Sequence, residues 1–224
     1  AINGRELPWR QTTDPYAIWL SEVIMQQTKI AQGTAYWERF IKRWPNVQSL
    51  ANATEDEVLR EWQGLGYYSR ARNLHKAAQQ IVDLGYFPQT YNELIQLKGI
   101  GEYIAAAVYS IAFAGSVAVV DGNVYRVLAR FFGIEIPIDS TQGKKIFKAI
   151  AQDNLPKNAP AAYNQGIMDF GAMQCTPTLP NCKVCPLIEN CFAANNNKES
   201  SLPIKTKKKK QRERNISYIY ICIL

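Results

Sequence analysis

The sequence predicts an all-α protein of many short helices, on three observations. Helix-start signals recur along the chain, apolar residues repeat at spacings of three and four, and strand patterns are scarce before the last nine residues. Asp14-Pro15 places an N-cap before a proline at the first helical position and predicts a helix through about Lys29. Thr54 with Glu57, and Thr90 with Glu93, each fit a capping box and open short helices. Leu74, Ala77, Ala78 and Ile81 form one apolar stripe, and Val124, Val127 and Leu128 another. Asp121, Thr141 and Ala159-Pro160 mark further starts, and Gly133 closes a helix. His75, the single histidine, reads as an exposed helix residue without a role.

The 224 residues are enough to bury a sizeable core, and 47% hydrophobic content excludes a disordered chain. No signal-peptide pattern opens the sequence, which predicts an intracellular protein. Residues 103–120 carry no charge, but Gly115 and Ser116 interrupt the run and no basic flank anchors it. A buried helix with a short connector is the expectation, not a membrane span. The net charge of +7 is concentrated: residues 198–214 hold eight Lys/Arg against two Glu, leaving 18 basic and 17 acidic residues elsewhere. Any affinity for phosphate therefore needs local patches or helix N-termini, not a uniformly positive body.

Everything to about residue 197 reads as one helical unit, followed by a basic linker over 198–214. The last stretch, ISYIYICIL, is β-branched and aromatic and reads as a strand without a sheet, the stub of a further β-containing domain.

Four of the five cysteines, Cys175, Cys182, Cys185 and Cys191, fall within CTPTLPNCKVCPLIENC, with six, two and five residues between them. An intracellular chain argues against disulfides. Zinc sites commonly use two close pairs and a longer gap. Four thiolates this close, on loops stiffened by Pro177, Pro180 and Pro186, suit an iron–sulfur cube better. Zinc stays open as the alternative.

LKGIGEYIAAAVYS, residues 97–110, joins two helical segments through Gly99 and Gly101. The glycines permit a sharp turn and a close backbone approach, and the following helix N-terminus offers free N–H groups to a phosphate. Taken alone, the stretch reads first as an ordinary αα-turn. Glu22 has Ile18, Trp19, Met25 and Gln26 as helical neighbours, a largely apolar face where desolvation raises a carboxyl's pKa and favours a proton donor; a solvated surface Glu is the alternative. Asp121 follows an apolar run and heads a helix; structural N-capping is the default reading there, and the same position has a dipole that favours an anion. One neutral acid and one fixed anion form a set that cleaves glycosidic bonds through an oxocarbenium-like transition state.

The hairpin, the Asp after it and the closing cysteines resemble the endonuclease III superfamily of DNA glycosylases. LPWR, SEVIMQQT, GLGYYSRARNLHKAAQ, VDGNVYRVLAR and NQGIMDFGAMQCTPTLPNCKVCPL are similar, within it, to adenine glycosylases of the MutY type. The resemblance covers nearly all of residues 1–195. It implies a two-lobed helix-hairpin-helix glycosylase fold: a six-helix barrel over about 9–114, and a cluster lobe from 1–8 and 115–197. One [4Fe-4S] cluster is implied on Cys175, Cys182, Cys185 and Cys191. The implied reaction is hydrolytic removal of adenine opposite 8-oxoguanine or guanine in double-stranded DNA, by a monomer without membrane attachment.

The resemblance further implies that Glu22 protonates the flipped adenine and that Asp121 stabilises, or transiently bonds to, the cationic sugar. Arg5, Trp9, Arg10 and Gln165 match positions lining the base pocket. Gln27 and Tyr67 match residues that enter the duplex. Gly99, Gly101 and Lys183 match DNA-backbone contacts; Lys98 departs from the family, which usually has proline there, and its ammonium beside the hairpin is expected to meet phosphate. Tyr103 occupies the position that carries a lysine in strand-cutting relatives. A tyrosine forms no Schiff base, so a monofunctional enzyme is implied. Some thymine-mismatch glycosylases also carry tyrosine there, and they remain an alternative. So does a non-enzymatic iron–sulfur DNA-binding protein, which would not need Glu22.

Overall fold

The computed structural model describes residues 5–206, and among them every regular element is helical. After a 3-10 turn at Pro8–Arg10 come α1 (Pro15–Met25), α2 (Ile30–Arg43), α3 (Val47–Ala51), α4 (Glu55–Glu61), α5 (Ser69–Leu84), α6 (Tyr91–Leu94) and α7 (Glu102–Phe113). Then follow α8 (Gly122–Phe132), α9 (Thr141–Asp153), α10 (Pro160–Met173), two 3-10 turns and α11 (Phe192–Asn195). Cys222 and the apolar stretch ISYIYICIL lie outside the described residues, as do residues 207–214 of the expected linker.

The expected starts are built as their side chains dictate. Asp14 accepts from Tyr16 N, Thr54 and Thr90 close reciprocal capping boxes with Glu57 and Glu93, and Asp121 accepts from Val124 N. Gly133 ends α8 in the left-handed region at φ 68°. Two expectations about the helices are corrected. The first helix stops at Met25, short of Lys29, because Gln26 turns extended and Gln27 takes φ 54°. His75 is not exposed but 4% accessible. α5 packs on α1, α3 and α4, so its buried face is wide enough to take in His75 beside Ala71, Leu74 and Ala78.

Two hydrophobic cores lie on either side of α7. The first gathers α1 to α6 around Trp19, Phe40, Trp62 and Leu74, and takes Ile104, Ala105 and Val108 from α7. The second joins Val124, Leu128, Phe147 and Met168 with Ala106 and Ala107 from the opposite side of α7. The largely apolar α7 is thus explained by burial on two sides, and no helix among the described residues is long and apolar enough to cross a membrane. The N-terminal segment is shared: Leu7 packs in the first core, whereas Arg5 reaches Asp169 on α10. Residues 198–206 do not run free as a linker would. Leu202 is buried in the second core, the Ile204 carbonyl accepts from Ile138 N, and Thr206 is bonded to Asp139. Apolar side chains between the charges dock this stretch.

Candidate active site

A cavity of about 230 Å³ opens between the two cores, lined by Arg5, Trp9, Arg10, Glu22, Tyr103, Asp121 and Gln165 among others. It falls below the roughly 300–1,000 Å³ of drug-sized sites, so a compact ligand such as one nucleobase suits it. The catalytic and base-contact candidates of the sequence therefore converge on one space, from the first turn of the chain, α1, α7, α8 and α10.

Glu22 projects from the apolar α1, surrounded by protein but open to the cavity. Tyr103, in the first turn of α7, donates its hydroxyl to Glu22 Oε2 at 2.7 Å and lies 3.7 Å from Met168 Sδ. Burial is the largest influence on Glu22 and pushes its carboxyl up. The Tyr103 hydrogen bond and the Arg10 charge pull it down and nearby Asp121 adds to the rise, leaving a net upward shift. Burial, followed by the Glu22 charge and hydrogen bond, holds the Tyr103 phenol well above its usual value, so the phenol stays a donor.

Asp121 is fixed from two directions. Its Oδ1 accepts from Val124 N and its Oδ2 from Asn123 Nδ2, both at 2.8 Å. Asn123 in turn accepts from Arg126 Nη2 at 2.9 Å, and Arg126 also donates to the carbonyls of Gly171 and Cys175. One turn further along α8, Arg130 donates to the carbonyls of Thr176, Pro177 and Leu202 and meets Cys175 Sγ at 3.4 Å. The helix that Asp121 caps therefore also carries the cysteine loop.

Asp169 was not singled out in the sequence, although it organises one wall of the cavity. It is 4% accessible, and its carboxylate takes Arg5 Nη2 and Arg10 Nη1, each at 2.5 Å. Burial works against its charge, but the Arg10 and Arg5 guanidinium groups outweigh it and hold the carboxyl below its usual range. Its helical neighbours three and four residues away are Gln165, Gly166, Ala172 and Met173, a mixed set, so the apolar pattern that marked Glu22 does not mark Asp169. Trp9 is buried with its ring 5.7 Å from Trp37 and lines the cavity at the same time.

The remaining candidates lie outside the cavity. Gln27, Tyr67, Lys98, Gly99, Gly101 and Lys183 are all exposed. Gln27 stands at the cavity rim between the lining residues Met25 and Thr28, and both Gln27 and Tyr67 hold positive φ, 54° and 45°. Strain of that kind in non-glycine residues gathers at functional sites. In the hairpin, Gly99 has φ 77°, and a Cβ there would stand 2.6 Å from Asn73 Cβ. Lys98 N donates to Gln80 Oε1 at 2.7 Å, tying the turn to α5. Gly101 caps α7 at φ −95°, where any residue fits, with open space outside it.

Cys175, Cys182, Cys185 and Cys191 are free thiols that border one common pocket, walled by Val127, Phe131, Pro180, Leu187 and Ile188 among others. Among the described residues, no three His, Cys, Asp or Glu side chains are placed to hold a single metal ion.

Residues 20–155 match the HhH-GPD superfamily of base excision DNA repair proteins. An adenine DNA glycosylase of Buchnera aphidicola subsp. Schizaphis graminum is 37% identical over 98% of this chain and 64% of its own length. The adenine DNA glycosylase of Homo sapiens is 40% identical over 84% of this chain and 37% of its own length. The chain thus spans about two-thirds or less of these relatives. A thermostable thymine-DNA glycosylase superposes with a TM-score of 0.79 at 27% identity, covering 86% of this chain and 89% of that one. An endonuclease III in a non-covalent DNA complex gives 0.74 at 22% identity, over 88% and 90%, a likeness of fold. On the match over residues 20–155, the chain belongs to the HhH-GPD superfamily of base excision DNA repair proteins.

Proposed function

We propose that the chain is the catalytic part of a monofunctional adenine DNA glycosylase that acts on adenine opposite 8-oxoguanine or guanine. The observation that carries this reading is the Glu22–Tyr103 hydrogen bond of 2.7 Å inside a base-sized cavity that Asp121 also lines. Two adenine glycosylase relatives at 37% and 40% identity support the choice of base.

The reaction follows from the groups present. An adenine turned out of the stack enters the cavity, flanked by Trp9 and Gln165 and by Arg5 and Arg10 on their Asp169 anchor. Glu22, its carboxyl raised by burial, gives its proton to the base and makes it a neutral leaving group. As the glycosidic bond breaks, positive charge grows on the sugar and the Asp121 carboxylate stabilises it. Water then adds to the sugar and yields an abasic site. Tyr103 holds Glu22 and supplies no amine, so the strand stays intact. Gln27 and Tyr67 occupy the space the base leaves, while Lys98, the Gly99–Gly101 hairpin and Lys183 meet the phosphates.

The test incubates one duplex carrying A opposite 8-oxoguanine and another carrying T opposite G, followed by alkali. Cleavage of the A strand, only after alkali and with no borohydride-trapped adduct, is the expected result. Cleavage of the T duplex instead would transfer the assignment to the thymine-mismatch class, and binding without any cleavage would remove the enzyme claim.

Cys175, Cys182, Cys185 and Cys191 are the residues that would hold a [4Fe-4S] cluster, in a largely apolar pocket with Arg130 beside Cys175. By ligating iron, these four cysteines would tie the loop together. Purified protein is expected to be brown with about four irons per chain. A colourless protein with one zinc per chain would overturn this cofactor.

A further inference from the structure

Arg70, in the first turn of α5, commits its guanidinium to two loops. Its Nη1 donates to the carbonyls of Val23 and Ile24, each at 3.2 Å, and to that of Gln26. Its Nη2 donates to Leu65 O at 3.2 Å and Gly66 O at 3.5 Å. The rings of Trp62 and Tyr67 lie against the same group, with centroids 5.1 and 5.7 Å away. Among the described residues the Arg70 Nε has no partner, so the polar contacts of Arg70 are made by its two terminal nitrogens. The first set of carbonyls closes the C-terminal end of α1, and the second belongs to the loop that enters α5.

The positions of these carbonyls matter more than their number. Gln26 immediately precedes Gln27, and Gly66 immediately precedes Tyr67, and these are the exposed residues at φ 54° and 45°. Two segments some forty residues apart in sequence are thus each held, at the peptide before a strained residue, by one guanidinium. A strained backbone persists only where its surroundings over-determine it. A planar fork with five fixed donors can do this for two loops at once, whereas an ammonium is a single point.

We propose that Arg70 is a positioning residue that locks Gln27 and Tyr67 into one wedge, so that the two side chains enter the duplex as a unit. This rests on the reading above that Gln27 and Tyr67 enter DNA. A merely structural Arg70 would close the end of α1 and leave the two side chains to act independently, so the discriminating quantity is their coupling.

The experiment is a double-mutant cycle on DNA affinity. Gln27→Ala, Tyr67→Ala and the double variant are titrated with a duplex carrying 2′-fluoro-adenosine, which resists cleavage, opposite 8-oxoguanine. Residues acting as a unit share one loss, and the double variant is expected to depart from the product of the single losses by about five-fold or more. Repeating the cycle in Arg70→Lys, checked for an intact thermal transition, is expected to bring the departure below about two-fold. Single losses that simply multiply in the native background overturn the inference, as does a coupling that survives Arg70→Lys. If Arg70→Lys does not fold, the cycle is repeated in Arg70→Gln, whose shorter amide cannot reach both sets of carbonyls, and a coupling that survives there overturns the inference. If neither single substitution weakens binding, the duplex-entering roles fail first, and the inference fails with them.

Discussion

Glu22→Gln is expected to bind the adenine-containing duplex as the unaltered protein does and to excise adenine roughly 10³-fold more slowly, within the 10²–10⁴ attributed to a general acid. The carboxamide is nearly isosteric, and its oxygen can still accept the Tyr103 hydroxyl that now meets Oε2 at 2.7 Å. What it lacks is a transferable proton. The pH dependence has a definite sign. Burial raises the carboxyl above its ordinary value of 4.5, so the acid form is present below the raised pKa and excision falls as pH rises through it. Stability moves with it. Between the ordinary and the raised value the folded state binds more protons than the unfolded one, so stability declines as pH rises across that window. Glu22→Gln removes both trends and leaves a fold that is more stable than the native one above the raised value. Single-turnover excision across pH, with a binding titration, checks the first effect; denaturant unfolding at two pH values checks the second. Excision within ten-fold of the native rate would end the role of Glu22 as the acid.

What was legible in the sequence divides by range. The caps of Asp14, Thr54, Thr90 and Asp121 could be read because each is a bond between a side chain and a backbone two or three residues on. The end of α1 could not. No breaker stands at Met25, and the helix stops where Arg70, more than forty residues away, takes its last carbonyls. His75 was misplaced for a similar reason: the width of a buried face depends on how many helices cover it, and α5 is covered by three. Asp169 escaped because its partners lie 164 and 159 residues distant, at Arg5 and Arg10. For Glu22, Asp121 and Tyr103, chemistry and resemblance pointed to candidates one by one. Only the fold shows that they line one cavity with those arginines.

Asp121 carries two jobs that one pair of substitutions can separate. Its Oδ1 caps α8 through Val124 N, and its Oδ2 holds the Asn123 amide. Asparagine caps a helix about as well as aspartate, whereas alanine costs about 1 kcal/mol at such a position. Asp121→Asn keeps the cap but turns an NH2 toward the Asn123 Nδ2 donor, so it is expected to lose about 1 kcal/mol of stability while slowing excision by roughly 10²–10³-fold, the cost of removing one group aimed at transition-state charge. Asp121→Ala should lose the same activity and, with the cap gone too, about 1 kcal/mol more stability than Asp121→Asn. Because sugar charge appears only as the bond breaks, both variants should bind uncleaved duplex nearly as tightly as the native chain, placing the loss in the chemical step. A purely structural Asp121 makes the opposite forecast: activity would follow stability, Asp121→Asn would stay near native, and Asp121→Ala would fall further. Measured excision rates set against denaturant midpoints for the two variants decide between a cap that happens to line the cavity and a carboxylate that the cap holds in place for the reaction.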